Sequence, residues 1–300
     1  LKDSNSFVRR SVRQTLGTLV QKGATIKEVL NFVFDALDNS ASDVRRAAVK
    51  SLMILANQGA STEEVLPSIL NTLKDSDWSV RSASIDVLGV LVEKGADIKE
   101  LLTLILDALE DSHSDVCRAA IKVLAILVGQ GISIQEALLH LPNTLKSNDW
   151  HVRSASLELI GTLLKQDASP QEVLLSPILE TLEDSHFMVR NAAIKVLLIL
   201  VEEGIAVQEM LSHILGSLKD SEEDVRRVVL ESLGVLVGKN ISIQTILPPI
   251  LHASKDSRSE VRSTAVQALG ILIKQGATDK KILDIILEAL QDSDSVVRRA

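Results

Sequence analysis

Apolar residues recur along this chain at the three- and four-residue spacing of a helix face, and no stretch shows the two-residue alternation of a strand. Val80, Ala83, Leu88 and Leu91 are one such set. The apolar runs are punctuated at regular intervals. A Val-Arg pair stands at Val8-Arg9, Val44-Arg45, Val80-Arg81, Val152-Arg153, Val189-Arg190, Val225-Arg226, Val261-Arg262 and Val297-Arg298, and Val116 keeps the register although Cys117 follows it. The spacing is 36 residues at every step but one, which is 37. A fixed period of this length marks a repeat architecture.

Each period reads as two helices. The first, helix A, begins after a cap at Thr25, Ser61, Asp97, Ser133, Ser169 or Ser242. Glu28, Glu64, Glu100, Glu136 and Glu172 follow three residues after the first five of these, so that cap oxygen and Glu carboxylate satisfy orphan N–H groups reciprocally. Pro170 falls at a first helical position, where its missing N–H costs nothing. Helix A ends near Asp38, Asp75 or Asp111 in a short Asp-Ser turn. Helix B carries the Val-Arg pair and stops at Gly23, Gly59, Gly95, Gly131, Gly204 and Gly276, residues that accept the left-handed conformation closing a helix. Asp167 and Asn240 take that position in the two exceptions. Two helices per unit without strands predict an all-α fold, a right-handed α-solenoid of antiparallel helix pairs with a 36-residue repeat.

The turn Asp (Asp75, Asp184, Asp220, Asp256), the Val and the Arg six residues after that Asp (Arg81, Arg190, Arg226, Arg262) resemble the HEAT-repeat pattern over essentially the whole chain. The resemblance implies a hydrogen-bonded ladder of these Asp and Arg residues between neighbouring turns, with the B helices on the concave side. Asn39 and Ser147 in place of the Asp, and Cys117 in place of the Arg, predict a weakened ladder there. A tetratricopeptide array is a poorer match, because it needs packing aromatics and this chain has no Tyr. The expected organisation is one array over 1–300: a partial repeat 1–23, helix pairs 24–59, 60–95, 96–131, 132–167, 168–204, 205–240 and 241–276, and a partial repeat 277–300. Both ends cut through a repeat and the chain starts at Leu1, so the array is expected to be cut from a longer one. Interior Pro177, beside the extra residue of the 37-residue period, predicts a kink or bulge at Leu175–Pro177.

A second period of two repeats overlies the first, since 44–59 resembles 116–131 and 189–204, whereas 80–95 resembles 152–167. Positions two, six, nine and thirteen after the Val share one side of helix B. The sixth reads Lys50, Asp86, Lys122, Glu158, Lys195 and Glu231, strictly alternating in sign. Stacked helices about 8–10 Å apart let such side chains pair laterally, and the same stripe suits a charged peptide. The ninth reads Gly17, Met53, Gly89, Ala125, Gly161, Leu198, Gly234 and Gly270. Recurrent Gly inside a helix implies either close approach of a neighbour or a groove for a partner.

Composition then narrows the function. Hydrophobic residues reach 46% but aromatics only 2%, which gives a core of Leu, Ile, Val and Ala and little to stack on nucleic-acid bases. Net charge is −8, and both halves are acidic, with 16 basic and 19 acidic side chains in 1–150 and 16 and 21 in 151–300. Phosphate-driven binding is therefore disfavoured. No apolar run is long enough to span a membrane. One Cys and no visible signal segment suit a cytoplasmic protein.

Chemistry-bearing clusters are sparse. There is no His-Glu dipeptide, which the iron-binding deoxyhypusine hydroxylases of HEAT type require, and no phosphate loop or nucleophile elbow. His113 and Cys117 alone do not make a metal site. Three of the six aromatics share one turn position, Trp78, Trp150 and Phe187, with His151 and His186 beside them. They either cover the helix pair beneath or form a binding rim. These features point to a non-catalytic scaffold without cofactor or metal that binds a protein or peptide. Its contacts would be a concave stripe of Arg46, Lys50, Met53, Arg118, Lys122, Asn191, Lys195 and Leu198 and a turn rim of Trp78, Trp150, Phe187 and His151. The alternatives are a structural spacer or self-assembling segment of a larger protein, with end-to-end association through uncapped terminal helices, and a subunit of a HEAT-type bilin lyase.

Overall fold

The computed structural model describes residues 5–132, 137–166, 172–236 and 241–300. The helix starts and stops expected at Ser133, Glu136, Asp167, Ser169, Pro170 and Asn240 lie outside these residues, as do the side chains of Glu100 and Glu172. Among the described residues there is no β-strand. The chain divides into two compact units, residues 1–159 and 160–300.

The first unit contains α1 (Ser6–Gln21), α2 (Ile26–Leu37), α3 (Ser42–Asn57), α4 (Thr62–Thr72), α5 (Trp78–Glu93), α6 (Ile98–Asp107), α7 (Ser114–Gly129), α8 (Ala137–Thr144) and most of α9 (Trp150–Lys165). The odd-numbered helices are of type B. α1 packs on α3, α3 on α5 and α5 on α7, while α2 and α4 lie against this row. The second unit holds α10 (Glu172–Glu180), α11 (Phe187–Glu202), α12 (Val207–Gly216), α13 (Glu223–Leu236), α14 (Ile243–Ala253), α15 (Ser259–Lys274), α16 (Lys280–Ala289) and α17 (Ser295–Arg299). Here α11 packs on α13, α13 on α15 and α15 on α17.

Local chemistry sets the helix ends. Thr25 accepts from the Glu28 N–H, and Ser61 with Glu64 forms a complete capping box. Gly23, Gly59, Gly95, Gly131, Gly204 and Gly276 all have φ between 80° and 108°, the region a side chain resists. At α12 the cap is Ala206 at φ 43°, a strained substitute for the Ser or Thr found elsewhere.

The B helices carry most of the core. In α3, Val44, Ala47, Ala48, Val49, Leu52 and Leu55 are buried, since a helix sandwiched between two neighbours loses more than one face to packing. The A helices bury a narrower stripe that is fixed relative to the turn: Val65 and Ile69 lie ten and six residues before Asp75. Leu174 and Ile178 stand in the same relation to Asp184. α10 therefore keeps register from Leu174 onward and runs unbroken through Leu175–Ile178. The extra residue of the 37-residue period lies before Leu174, and the expected bulge at Leu175–Pro177 is absent.

Candidate functional site

The turns are joined by a ladder of ion pairs. Arg45 grips Asp75, Arg81 grips Asp111, Arg190 grips Asp220, Arg226 grips Asp256 and Arg262 grips Asp292, each through Nε and Nη2 on the two carboxylate oxygens at 2.7–2.9 Å. The partner is always thirty residues ahead. The remaining nitrogen, Nη1, donates backwards into the arginine's own turn, from Arg81 to the Asp75 carbonyl at 2.8 Å and from Arg190 to the Asp184 carbonyl at 2.7 Å. Each aspartate also accepts the N–H two residues on, as Asp75 does from Asp77 and Asp111 from His113. The Arg45 guanidinium holds the Asp75 carboxyl below the usual range. Burial pulls the other way at Asp111, Asp220 and Asp256, where it is the largest influence, but the arginine and the backbone N–H together outweigh it and leave these carboxyls lowered. Asp292, paired with Arg262, is lowered to about 2.

Two of the three departures from the pattern, Cys117 and Ser147, belong to one rung, while Asn39 stands opposite an ordinary arginine. Cys117 and Ser147 are thirty apart, so one rung lacks both partners. The Cys117 thiol donates instead to the Asp111 carbonyl at 3.2 Å, and burial pushes it up to about 11, far from thiolate reactivity. Asn39 stands thirty residues after Arg9, and Arg9 turns to Asp43 at 2.5 Å. Arg45, Asp111 and Asp292 belong to the ladder although the turn motif did not single them out; counting thirty residues forward from Arg45, Arg81 and Arg262 finds Asp75, Asp111 and Asp292.

A second feature went unread. Ser84 donates to the Thr72 hydroxyl at 2.7 Å, and Thr144 and Ser156 are paired at 2.6 Å, all four buried where helix A meets helix B. The repeats on either side of Thr72 and Ser84 place Ala36 with Ala48 and Ala108 with Ala120 at these positions. The two-repeat period thus reaches into the core.

The proposed stripe residues are placed as follows. In the first unit, Arg46, Lys50 and Met53 are half-buried on α3, and Arg118 (paired with Asp115) and Lys122 lie on α7, Lys122 exposed. Asp86 lies between them on α5, half-buried and attracted to both Lys122 and Lys50. In the second unit, Lys195 is exposed on α11, Leu198 is half-buried, and the Asn191 Oδ1 is closed from solvent without a donor. Three of the recurrent glycines mark close helix contacts, whereas Gly270 faces open space. A Cβ at Gly89 would meet Val123 Cγ2 at 3.0 Å, one at Gly17 would meet Ile54 at 3.0 Å and one at Gly161 would meet Ile199 at 3.1 Å.

At the rim, the Trp78 ring lies flat on His113, centroids 4.1 Å apart and planes 2° from parallel, with 39% of the residue exposed. Trp150 stacks on the exposed His151 at 3.6 Å, and His186 on Phe187 at 5.3 Å. His113 and His186 are also helix caps, each accepting through Nδ1 from the N–H two residues on. Met188, which the shared turn position did not include, is 41% exposed beside Phe187. Below the first rung, Phe34, Asn39, Arg45, Asn71 and Asp75 line an open polar cleft of about 500 Å³. Among the described residues no three His, Cys, Asp or Glu side chains are grouped to hold a metal ion, and no helix is long and apolar enough to cross a membrane.

Helix pairs stacked in register and tied by an Arg-Asp ladder define an all-α solenoid of interaction-repeat type. The sequence comparisons agree: the HEAT repeat model matches residues 65–95 and the HEAT repeats model residues 210–300. The chain thus carries HEAT repeats over these residues. Residues 94–212 are similar to the model for a proteasome non-ATPase 26S subunit. No curated protein matches the chain. Among solved structures it is similar to Kap95p, solved in a study of RanGDP binding (15% identity, TM-score 0.67, 97% of this chain and 42% of that one). It is also similar to Kap121p bound to Nup53p (17%, 0.61, 99% and 35%) and to YibA of E. coli (16%, 0.62, 100% and 96%). The chain thus spans about two fifths or less of the two Kap proteins. At these identities the likeness is one of fold.

Proposed function

We propose that this chain is a non-catalytic scaffold that binds a protein or peptide across the concave stripe of its B helices, with Trp78, Trp150, Phe187 and His151 as a second contact at the turn rim. The observation that carries this is the register of Lys50, Asp86 and Lys122 on three successive packed helices, which presents charges of both signs from a rigid frame. Mixed signs suit a protein partner rather than a phosphate backbone. The binding of Nup53p by Kap121p supports the reading by analogy of fold. The unreactive thiol of Cys117 gives no support to covalent catalysis, and a buried single cysteine suits a cytoplasmic setting. Pull-down with wild type and a Lys50→Glu/Lys122→Glu variant tests the stripe, with the exposed Lys94→Glu as control. Loss of partners in the double variant alone is the expected result, and an unchanged partner set would remove the stripe. A Trp78→Ala/Trp150→Ala pair tests the rim in the same way.

One observation favours self-assembly as a second mode. Leu283, Leu287 and Leu290 form an exposed apolar ridge along α16 and its C-cap, joined by Val296. Arg298 donates through Nη1 to the Asp292 and Ser293 carbonyls. Sedimentation against concentration, with Leu287→Asp as the variant, tests it; a strict monomer at high concentration ends this mode.

A further inference from the structure

The alternating stripe carries more than a generic binding face, provided that the scaffold reading above holds. On the row α3, α5 and α7 its sixth positions read Lys50, Asp86, Lys122, one charge per helix. Asp86 differs from the ladder aspartates. Its carboxylate is half-buried, and among the described residues it has neither a hydrogen-bond donor nor a cation in contact; only the longer-range attraction of Lys122 and Lys50 opposes its burial, which pushes it above the usual carboxylate range. Its neighbours on the same side of α5 are Ser82 and Gly89, both small, whereas α3 presents Arg46 and Met53 and α7 presents Arg118. A half-buried acid thus lies between two helices that carry cations, Lys50 and Arg46 on α3 and Lys122 and Arg118 on α7, without a donor from the described protein residues.

Spacing identifies what fits. Packed helices lie about 8–10 Å apart. A polyproline II segment has three residues per turn and rises about 3.1 Å per residue, so side chains at i, i+3 and i+6 share a face roughly 9 Å apart. An extended β-strand repeats a face about every 6.7 Å and falls out of step. An α-helix repeats a face near 10.5 Å at i+7, but its girth of about 10 Å or more holds it off a half-buried carboxylate. We infer that the B-helix face of the first unit binds a polyproline II segment crossing the helices, with acidic, basic and acidic side chains at every third residue set against Lys50, Asp86 and Lys122.

Fluorescence polarisation of the whole chain with a labelled peptide Glu-Pro-Pro-Lys-Pro-Pro-Glu tests this. The controls are the charge-reversed Lys-Pro-Pro-Glu-Pro-Pro-Lys and an alanine-rich helical peptide with Glu, Lys and Glu at seven-residue spacing. The first is expected to bind at least about fivefold more tightly than either control. Asp86→Asn, which keeps the shape and removes the charge, is expected to weaken that preference without erasing it, since Lys50 and Lys122 remain, and Asp86→Lys to shift it to Glu-Pro-Pro-Glu-Pro-Pro-Glu. Equal binding of both charge orders, a preference left unchanged by Asp86→Asn, or tighter binding of the helical peptide overturns the inference. If no peptide binds while Lys50→Glu/Lys122→Glu still strips partners in the pull-down, this inference falls and the scaffold stands. If neither responds, both fall.

Discussion

Restoring the missing rung measures what the ladder contributes. Cys117 and Ser147 occupy the two positions that an arginine and an aspartate fill in the complete rungs, so Cys117→Arg with Ser147→Asp rebuilds the motif. The template is Arg81–Asp111, two parallel bonds of 2.7 and 2.8 Å with both side chains about 15% exposed. Hydrogen bonds to charged groups contribute about 1.5–3 kcal/mol, and partial burial of both ions offsets part of this. The expected coupling in a double-mutant cycle is about 1–2 kcal/mol. Cys117→Arg alone gains the Asp111 carbonyl that the thiol now uses but sets its fork against no carboxylate, so it is expected to be neutral or destabilising. Ser147→Asp alone keeps the bond that Ser147 accepts from the Asp149 N–H. Urea unfolding followed by far-UV circular dichroism and by the fluorescence of Trp78 and Trp150, at the starts of α5 and α9, reads all four proteins. A coupling below about 0.5 kcal/mol, or of opposite sign, would refute the claim that the ladder ties the turns energetically.

The recurrent glycines give a contrast in sign. Gly270→Ala, with nothing within 4 Å of the new Cβ, is expected to raise stability by up to about 1 kcal/mol, while Gly89→Ala forces Val123 from 3.0 Å and should gain nothing or lose; equal Tm shifts would contradict the close-approach explanation. For the hydroxyl pairs, Ser84→Ala alone is expected to cost about 1 kcal/mol and Thr72→Ala/Ser84→Ala little more, because the second change removes the group left without its partner; strictly additive losses in urea melts would exclude coupling. The ladder carboxyls are lowered on folding, so their stabilisation is complete above the unfolded value near 4 and is lost as pH falls through the folded values, about 2 at Asp292. Arg262→Gln should flatten the acid limb of a stability profile between about pH 4 and 2, and an unchanged slope would count against the assignment.

Local chemistry made much of the fold legible in the sequence. A helix start needs a cap within three residues and a helix stop needs a left-handed residue, so Ser61, Glu64 and Gly59 announce themselves in a short window. The period, repeated over the chain, then gives the class of fold. The registers of the stripe and the turn rim were legible too, because residues at equal phase in equal helices share a side. What the sequence left open depended on which distant residues meet. Arg81 stands near Asp75 in sequence, yet its fork reaches Asp111, because stacking one helix pair on the next brings the following turn within bonding distance. Only that pairing shows Cys117 and Ser147 to be two halves of one absent rung. Packing likewise decided that Gly89 makes room for Val123, that Thr72 and Ser84 share a buried hydrogen bond, and that Pro177 leaves α10 unbroken. The sequence determined the helices, their ends and their period, since each rests on backbone hydrogen bonds within a few residues. The tertiary structure decided the ladder partners and the half-buried position of Asp86, since those depend on distances between helices that periodicity along one chain does not encode.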